Sequence, residues 1–256
     1  MKNRCPHCQF GRAYHLADGR RQCRKCRYKF SIQVSVWERY RISEKAKRKL
    51  LEYFVLGVPI YRARFRLPCS PKTAERFFRD IRRVLAHHEH FQDPLSGELE
   101  MDESPFGGAR KGKRGWGAAG KILVFGIMKR NGKVRLSVVP DRKYKTLREE
   151  IHDHTKTGSL YYTDDYGAYA SLPLRGDHVV VKKEKGKPTG RDHINGIEGF
   201  WSYAKHWLYQ YRGVHQKFFH LYLGEISYRF NHRDQDLIPL IEALLRTTAY
   251  DMIKEI

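Results

Sequence analysis

The sequence predicts an α/β protein: a mixed-sheet domain preceded by a small zinc ribbon and by a helical segment with the outline of a helix-turn-helix. Three observations carry that expectation. Two Cys-x-x-Cys pairs lie near the N-terminus, at Cys5/Cys8 and Cys23/Cys26. Helical periodicity then runs from Ser43 to Leu85 with two short interruptions. From Glu98 onward the pattern reads three strands, helix, strand, helix, strand, helix. The expected divisions are a ribbon over 1–36, a helical unit over 37–92, the mixed-sheet domain over 98–232 and a C-terminal helical tail over 233–256.

In the first segment the spacing is C-x2-C-x14-C-x2-C. Two such turns bring four thiolates together in a tetrahedral zinc site, and so small a module needs the metal because it has little core. Disulfides are disfavoured in a reducing compartment. A redox role is disfavoured because no βαβ context surrounds the motif. Cys69 is left over and is expected to be a buried thiol rather than a ligand. Arg20, Arg21, Arg24, Lys25, Arg27 and Lys29 are interleaved with the motif, which suits a surface of backbone phosphates; a ribbon used for protein contacts is the alternative.

In the second segment, Leu50, Leu51, Phe54 and Val55 define a helix that stops at Gly57-Val58-Pro59. A short helix is expected over 60–66, and Leu67-Pro68-Cys69 turns the chain. Ser70 can then cap a third helix with Pro71 at its first position. Ala74, Phe77, Phe78, Ile81, Val84 and Leu85 form its apolar face, while Lys72, Thr73, Arg76, Arg79 and Arg83 form a basic one, as in a DNA-reading helix. A generic bundle with a solvated basic face is the bland reading. His87-His88-Glu89-His90 is expected to be a solvated helix end, and 93–97 a linker.

The third segment opens with alternation over Glu98–Glu103 that puts Glu98, Glu100 and Asp102 on one strand face, which is costly unless something cationic sits there. The Gly-, Lys- and Arg-rich stretch over 106–121 matches G-x4-G-K by spacing, but Ile122 stands where a phosphate loop has Ser or Thr, and a strand follows. It is read as a cationic loop against DNA, with Lys111, Lys113 and Arg114. Strands over 122–128 and 134–139 are joined at Arg130-Asn131-Gly132, a hairpin signal. Leu147 and Ile151 anchor a helix over 145–154. Ser159–Thr163 is a short buried strand delivering Asp164 and Asp165, and 179–181 a further strand. After a basic loop over 182–191, Ile197, Phe200, Trp201, Ala204, Trp207, Leu208 and Tyr211 make one helical stripe, beside which Glu198 and Lys205 project along one line. Asn195 is expected to cap this helix, and His193 to sit at its entry or contact DNA. A final helix is expected over 217–232.

Composition bears on partners. Lys and Arg number 50 against 28 Asp and Glu, a formal charge of +22. That surplus implies a polyanion, most simply nucleic acid, bound in a salt-sensitive way. No run approaches ~18 consecutive apolar residues, so a membrane-spanning role is not expected. The N-terminus reaches a cysteine motif before any apolar run, which gives no sign of a signal peptide and makes the cytoplasm the expected compartment. Asp102 from the first strand, Asp164 or Asp165 from the end of the fourth, and Glu198 from the long helix are three acids from separated elements. Such a set suits two divalent cations acting on a phosphodiester, Mg2+ first and Mn2+ as substitute.

The blocks Glu100-Met101-Asp102-Glu103-Ser104-Pro105-Phe106-Gly107-Gly108, Tyr162-Thr163-Asp164, and His193-Ile194-Asn195-Gly196-Ile197-Glu198-Gly199-Phe200-Trp201 with Lys205 resemble the signature blocks of bacterial insertion-sequence transposases of DDE(K) type, with an ISXO-type catalytic domain after a zinc ribbon. Three blocks match in order and spacing; Pro105 departs from the aromatic residue expected there. The resemblance implies an RNase H-like fold, with Asp102, Asp164 and Glu198 as Mg2+ ligands and Lys205 contacting DNA near the scissile phosphate. It further implies binding of the element's terminal inverted repeats and of target double-stranded DNA, strand cleavage and 3′-OH strand transfer, and at least a homodimer on DNA in the bacterial nucleoid. The rival readings are a non-catalytic DNA-binding regulator derived from such an enzyme, and a metal-dependent nuclease that cuts without joining.

Overall fold

A computed structural model describes residues 4–18, 20–30, 34–107, 120–182, 190–254 and 256. At the N-terminus β1 (Ala13–His15), β2 (Arg21–Cys23) and β3 (Lys29–Phe30) form an antiparallel sheet in that order. Its buried residues are Cys5, Cys23 and Phe30, too little apolar surface to hold a fold without a cross-link. The two cysteine turns repeat one geometry. Gln9 N–H donates to Cys5 O and Arg27 N–H to Cys23 O, and both donors, each directly after a Cys pair, take a positive φ.

The helical segment comprises α1 (Val36–Arg39), α2 (Glu44–Val55), α3 (Ile60–Ala63) and α4 (Pro71–His90). Ser43 and Ser70 cap α2 and α4 by accepting the amides of Ala46 and Thr73, each at 3.2 Å. Gly57 closes α2 at φ +69°, and a Cβ there would come within 2.5 Å of the Trp207 ring, so both conformation and space demand glycine.

The second sheet contains β4 (Glu98–Phe106), β5 (Ile122–Lys129), β6 (Val134–Val139), β7 (Leu160–Thr163) and β8 (Asp177–Val180), in the order β6-β5-β4-β7-β8. Pairing is antiparallel among β4, β5 and β6 and parallel from β4 through β7 to β8. Asn131 takes φ 55° in the β5–β6 turn, as the Asn-Gly signal implies. Strand alternation divides the core. Leu99, Met101 and Tyr161 pack under α5 (Tyr144–His154), through Leu147 and Ile151. Phe106, Val124 and Tyr162 pack under α6 (Asn195–Tyr209) and α7 (Phe219–Asn231), through Ile197, Phe200, Trp201 and Ile226. This mixed sheet covered on both faces is the RNase H-like arrangement that the resemblance implied.

Several expectations need correction. Between β7 and β8 two 3-10 turns, Gly167–Tyr169 and Leu172–Leu174, replace a regular helix; Pro173 lies in the first turn of the second, and Gly176 packs so closely that a Cβ would meet Ser159 O at 2.2 Å. His87–His90 is not a solvated end. The end of α4 is covered because α7 lies along it, with Gly224 so close that a Cβ would approach Ala86 Cα to 2.6 Å. Glu89 is therefore buried and accepts from Asn231 Nδ2 at 2.8 Å, while His90 is exposed. Cys69 is half-buried. Of the expected cationic loops, 108–119, with Lys111, Lys113 and Arg114, and 183–189 lie outside the described residues.

The C-terminal α8 (Leu237–Thr247) and the turn Tyr250–Ile253 pack into the helical segment, where Ile241, Leu245 and Ile253 join Trp37, Leu50, Phe54, Phe77 and Ile81 in one core. Between this core and the sheet domain lies a buried ionic cluster. Arg82 on α4 and Arg229 on α7 both bind Glu225, at 2.6 and 2.9 Å, and Arg229 also donates to Phe54 O and Val55 O at the end of α2. Among the described residues no helix is long and apolar enough to cross a membrane.

Candidate active site

The register of β4 on β7 sets Glu98 against Leu160 and Glu100 against Tyr162. Two residues further on, Asp102 follows within β4, where alternation turns it toward α6, and Asp164 follows just past the end of β7. Asp102 pairs with Gly126 across the β4–β5 ladder. A Cβ on Gly126 would meet the Trp201 ring at 2.6 Å; without one, the indole lies against the sheet and donates Nε1–H to Asp102 Oδ2 at 3.0 Å. Burial pushes Asp102 up to about 6, and the Glu103 and Asp164 carboxylates push the same way. Asp164 is half-buried, and its Oδ1 is buried with no hydrogen-bond partner among the described residues; Asp165 is exposed.

Glu198 is partly buried in the first turn of α6, three residues before Trp201; Lys205 follows four residues after it. The three side chains thus line one helix edge. Lys205 is exposed, with Nζ 5.6 Å from the centre of the Phe106 ring. Its pKa is lowered by burial and by Lys121, against the opposing pull of Asp102. Among the described residues, Asp102, Asp164 and Glu198 do not bring one oxygen each within 4.8 Å of one another; the four cysteines are the group of three or more metal-type side chains that does so.

Of the three carboxylates expected on one strand face, two are met by a cation of the protein itself. Arg130, in the β5–β6 turn, binds Glu98 Oε2 at 3.0 Å and Glu100 Oε1 at 3.1 Å. Glu100 also corrects the expected cap of α6. The helix begins at Asn195, whose side chain caps nothing; instead Glu100 Oε2 accepts the Ile197 amide at 2.9 Å. The rule that suggested Asn195 is local, whereas this acceptor comes from 97 residues away. Asn195 is exposed, and His193 is partly buried with Nδ1 3.6 Å from Glu100. On the opposite sheet face Glu103 is buried, accepting from Tyr169 Oη at 2.7 Å and pairing with Arg142 at 2.8 Å. Alternation alone separates Glu103 from Asp102, but nothing in the sequence points to its two partners.

The four thiols of the ribbon converge, with Cys5 Sγ to Cys26 Sγ and Cys8 Sγ to Cys23 Sγ both at 3.5 Å and all four within 4.8 Å. Zinc–sulfur bonds of about 2.3 Å in a tetrahedron require sulfur separations of this size. The amides of Lys25 and Cys26 point at Cys23 Sγ, at 3.3 and 3.5 Å, and favour a thiolate there. The cluster could therefore hold zinc. On the basic face of α4, Lys72, Arg76 and Arg79 are exposed and Thr73 and Arg83 half-buried. Arg83 pairs with Asp80 at 3.0 Å and Arg79 stacks on Phe218, so Lys72 and Arg76 are the cations of this face with no ion pair or ring contact among the described residues.

Residues 94–231, just over half of the chain, match the family described as ISXO2-like transposase domain. An uncharacterized transposase-like protein of Haemophilus influenzae is 31% identical over 116 residues, which cover 44% of this chain and 94% of that protein. The matched span begins just before β4 and ends with α7, taking in Asp102, Asp164, Glu198 and Lys205. The chain belongs to the ISXO2-like transposase family.

Proposed function

We propose that this is the DNA transposase of an insertion sequence, binding the terminal inverted repeats of its element, cutting a strand at the element end and joining the freed 3′-hydroxyl to target DNA. The observation that carries this is the Asp102–Asp164 pair. Asp102 on β4 and Asp164 just past the end of β7 are within electrostatic reach of each other, one pushed up to about 6 and the other with a buried oxygen that has no hydrogen-bond partner among the described residues, and Trp201 ties Asp102 to the helix edge that carries Glu198 and Lys205.

Hard oxygen donors of this kind fit Mg2+ or Mn2+, and Asp102, Asp164 and Glu198 would hold it. When bound, such ions supply the positive charge that an in-line phosphodiester displacement needs on both the attacking and the leaving oxygen. Trp201 fixes the orientation of Asp102 through one oxygen. Lys205 adds a cation on the same edge, suited to a phosphate beside the scissile bond. Cleavage and joining are displacements of the same type, so one site serves both.

Double-stranded DNA is the partner that the family and the charge of +22 support. In this reading α2, α3 and α4 act as a helix-turn-helix; Lys72, Thr73, Arg76, Arg79 and Arg83 on α4 contact the element end, Lys111, Lys113, Arg114, His193 and Asn195 contact DNA nearer the site, and the zinc ribbon rests on phosphates. Holding two ends together calls for a homodimer or larger assembly, in the bacterial cytoplasm on the nucleoid. The test is to incubate the protein and Mg2+ with DNA carrying the element's inverted repeats and a plasmid target. Joined products support a transposase; nicked products alone support a nuclease; bound but uncut DNA supports a regulator.

A further inference from the structure

The three candidate acids lie on β4, just past β7 and at the start of α6, and a fourth segment that carries none of them touches β4, β7 and the lead-in to α6. Arg130 reaches from the β5–β6 turn. Its Nε binds Glu100 and one terminal nitrogen binds Glu98, both on β4. Its other terminal nitrogen donates to the carbonyls of Arg191 and His193, at 2.8 and 2.6 Å, in the lead-in to α6. Its guanidinium lies 3.5 Å from the ring centre of Tyr162 on β7. Glu100, 2% exposed, passes the same connection into α6 through the Ile197 amide. Each held residue is followed closely by an acid: Glu100 by Asp102, Tyr162 by Asp164, Ile197 by Glu198.

We propose that Arg130 and Glu100 are positioning residues that set the spacing of Asp102, Asp164 and Glu198 by pinning the start of α6 to β4 and β7. This rests on the reading of those acids as metal ligands. A planar guanidinium with five donors can serve two carboxylates and two carbonyls while stacking on a ring; the ammonium of lysine cannot. Gly196 belongs to the same arrangement, because a Cβ there would come within 2.8 Å of Glu100 Oε2 and displace the carboxylate from the Ile197 amide.

The test compares the full-length wild type with Arg130→Lys, Glu100→Gln and Asp102→Ala. Mn2+ alone is titrated calorimetrically, hydrogen exchange is followed in the peptide over 194–200, and affinity for inverted-repeat DNA is measured without metal. Arg130→Lys and Glu100→Gln are each expected to weaken Mn2+ binding about tenfold or more, as loss of groups that orient metal ligands does. Both should speed exchange at Ile197 and leave DNA affinity and the unfolding transition close to wild type. The double variant should lose less than the sum of the two, because both changes break one connection. Wild-type Mn2+ affinity and exchange in both variants would overturn the proposal, as would loss of fold or of DNA binding in step with metal binding. If Asp102→Ala binds Mn2+ as wild type does, the metal-site reading itself fails; if it loses Mn2+ and the other two do not, the positioning role alone fails.

Discussion

Trp201 donates its indole N–H to Asp102 Oδ2 at 3.0 Å, across a sheet position that Gly126 leaves open. Gly126→Ala should therefore act on the site as well as on packing. Its Cβ must push the Trp201 ring, at a cost of about 1–3 kcal/mol, and the Asp102 bond should lengthen or break. Urea unfolding measures the first effect. Cleavage activity well below that of wild type, under conditions where the variant is fully folded, measures the second.

Asp102 has a pH signature in the metal-free protein. Its folded pKa, raised to about 6 by burial, lies above the ordinary aspartate value of 3.8. The folded state thus binds the proton more tightly, and this contribution to stability is complete below about pH 4 and is lost as the pH rises through 6. Asp102→Asn removes the dependence. Near pH 4 the variant should match wild type, and above pH 7 it should be more stable by an amount on the order of 2–3 kcal/mol. Denaturation curves at the two pH values check this; equal differences at both would refute it.

Glu225 is fully buried between Arg82 and Arg229, and through Arg229 it is linked to the last carbonyls of α2. Glu225→Ala leaves two buried guanidiniums without their carboxylate. The expected loss is about 3–5 kcal/mol, seen as a lower Tm. Removing the chelatable metal should act more locally: thiol titration after strong chelation is expected to expose the four ribbon cysteines, while the α/β domain keeps its near-ultraviolet circular dichroism.

Local rules made much of the architecture legible. Ser43, Ser70 with Pro71, Gly57 and the Asn131-Gly132 turn act within a few residues of themselves, and each ends or starts an element where its chemistry requires. Alternation in β4 likewise put Glu98, Glu100 and Asp102 on the face that α6 covers. What escaped was settled by partners distant in sequence. Glu100 displaced Asn195 as the cap of α6; Arg130, not a metal, answered two of the strand's carboxylates; and α7 packed along the end of α4, burying Glu89. The C-terminal tail was legible as helical, without a sign that α1, α2 and α4 would receive it.

The most direct measurement is metal-dependent cleavage of inverted-repeat DNA by Asp102→Asn, Asp164→Asn and Glu198→Gln beside the wild type, with DNA binding measured on the same preparations. Each variant is expected to bind DNA as wild type does and to cleave about a thousandfold more slowly or not at all, the scale on which loss of transition-state charge stabilisation is felt. Wild-type cleavage by any one of the three would contradict a site built from all of them.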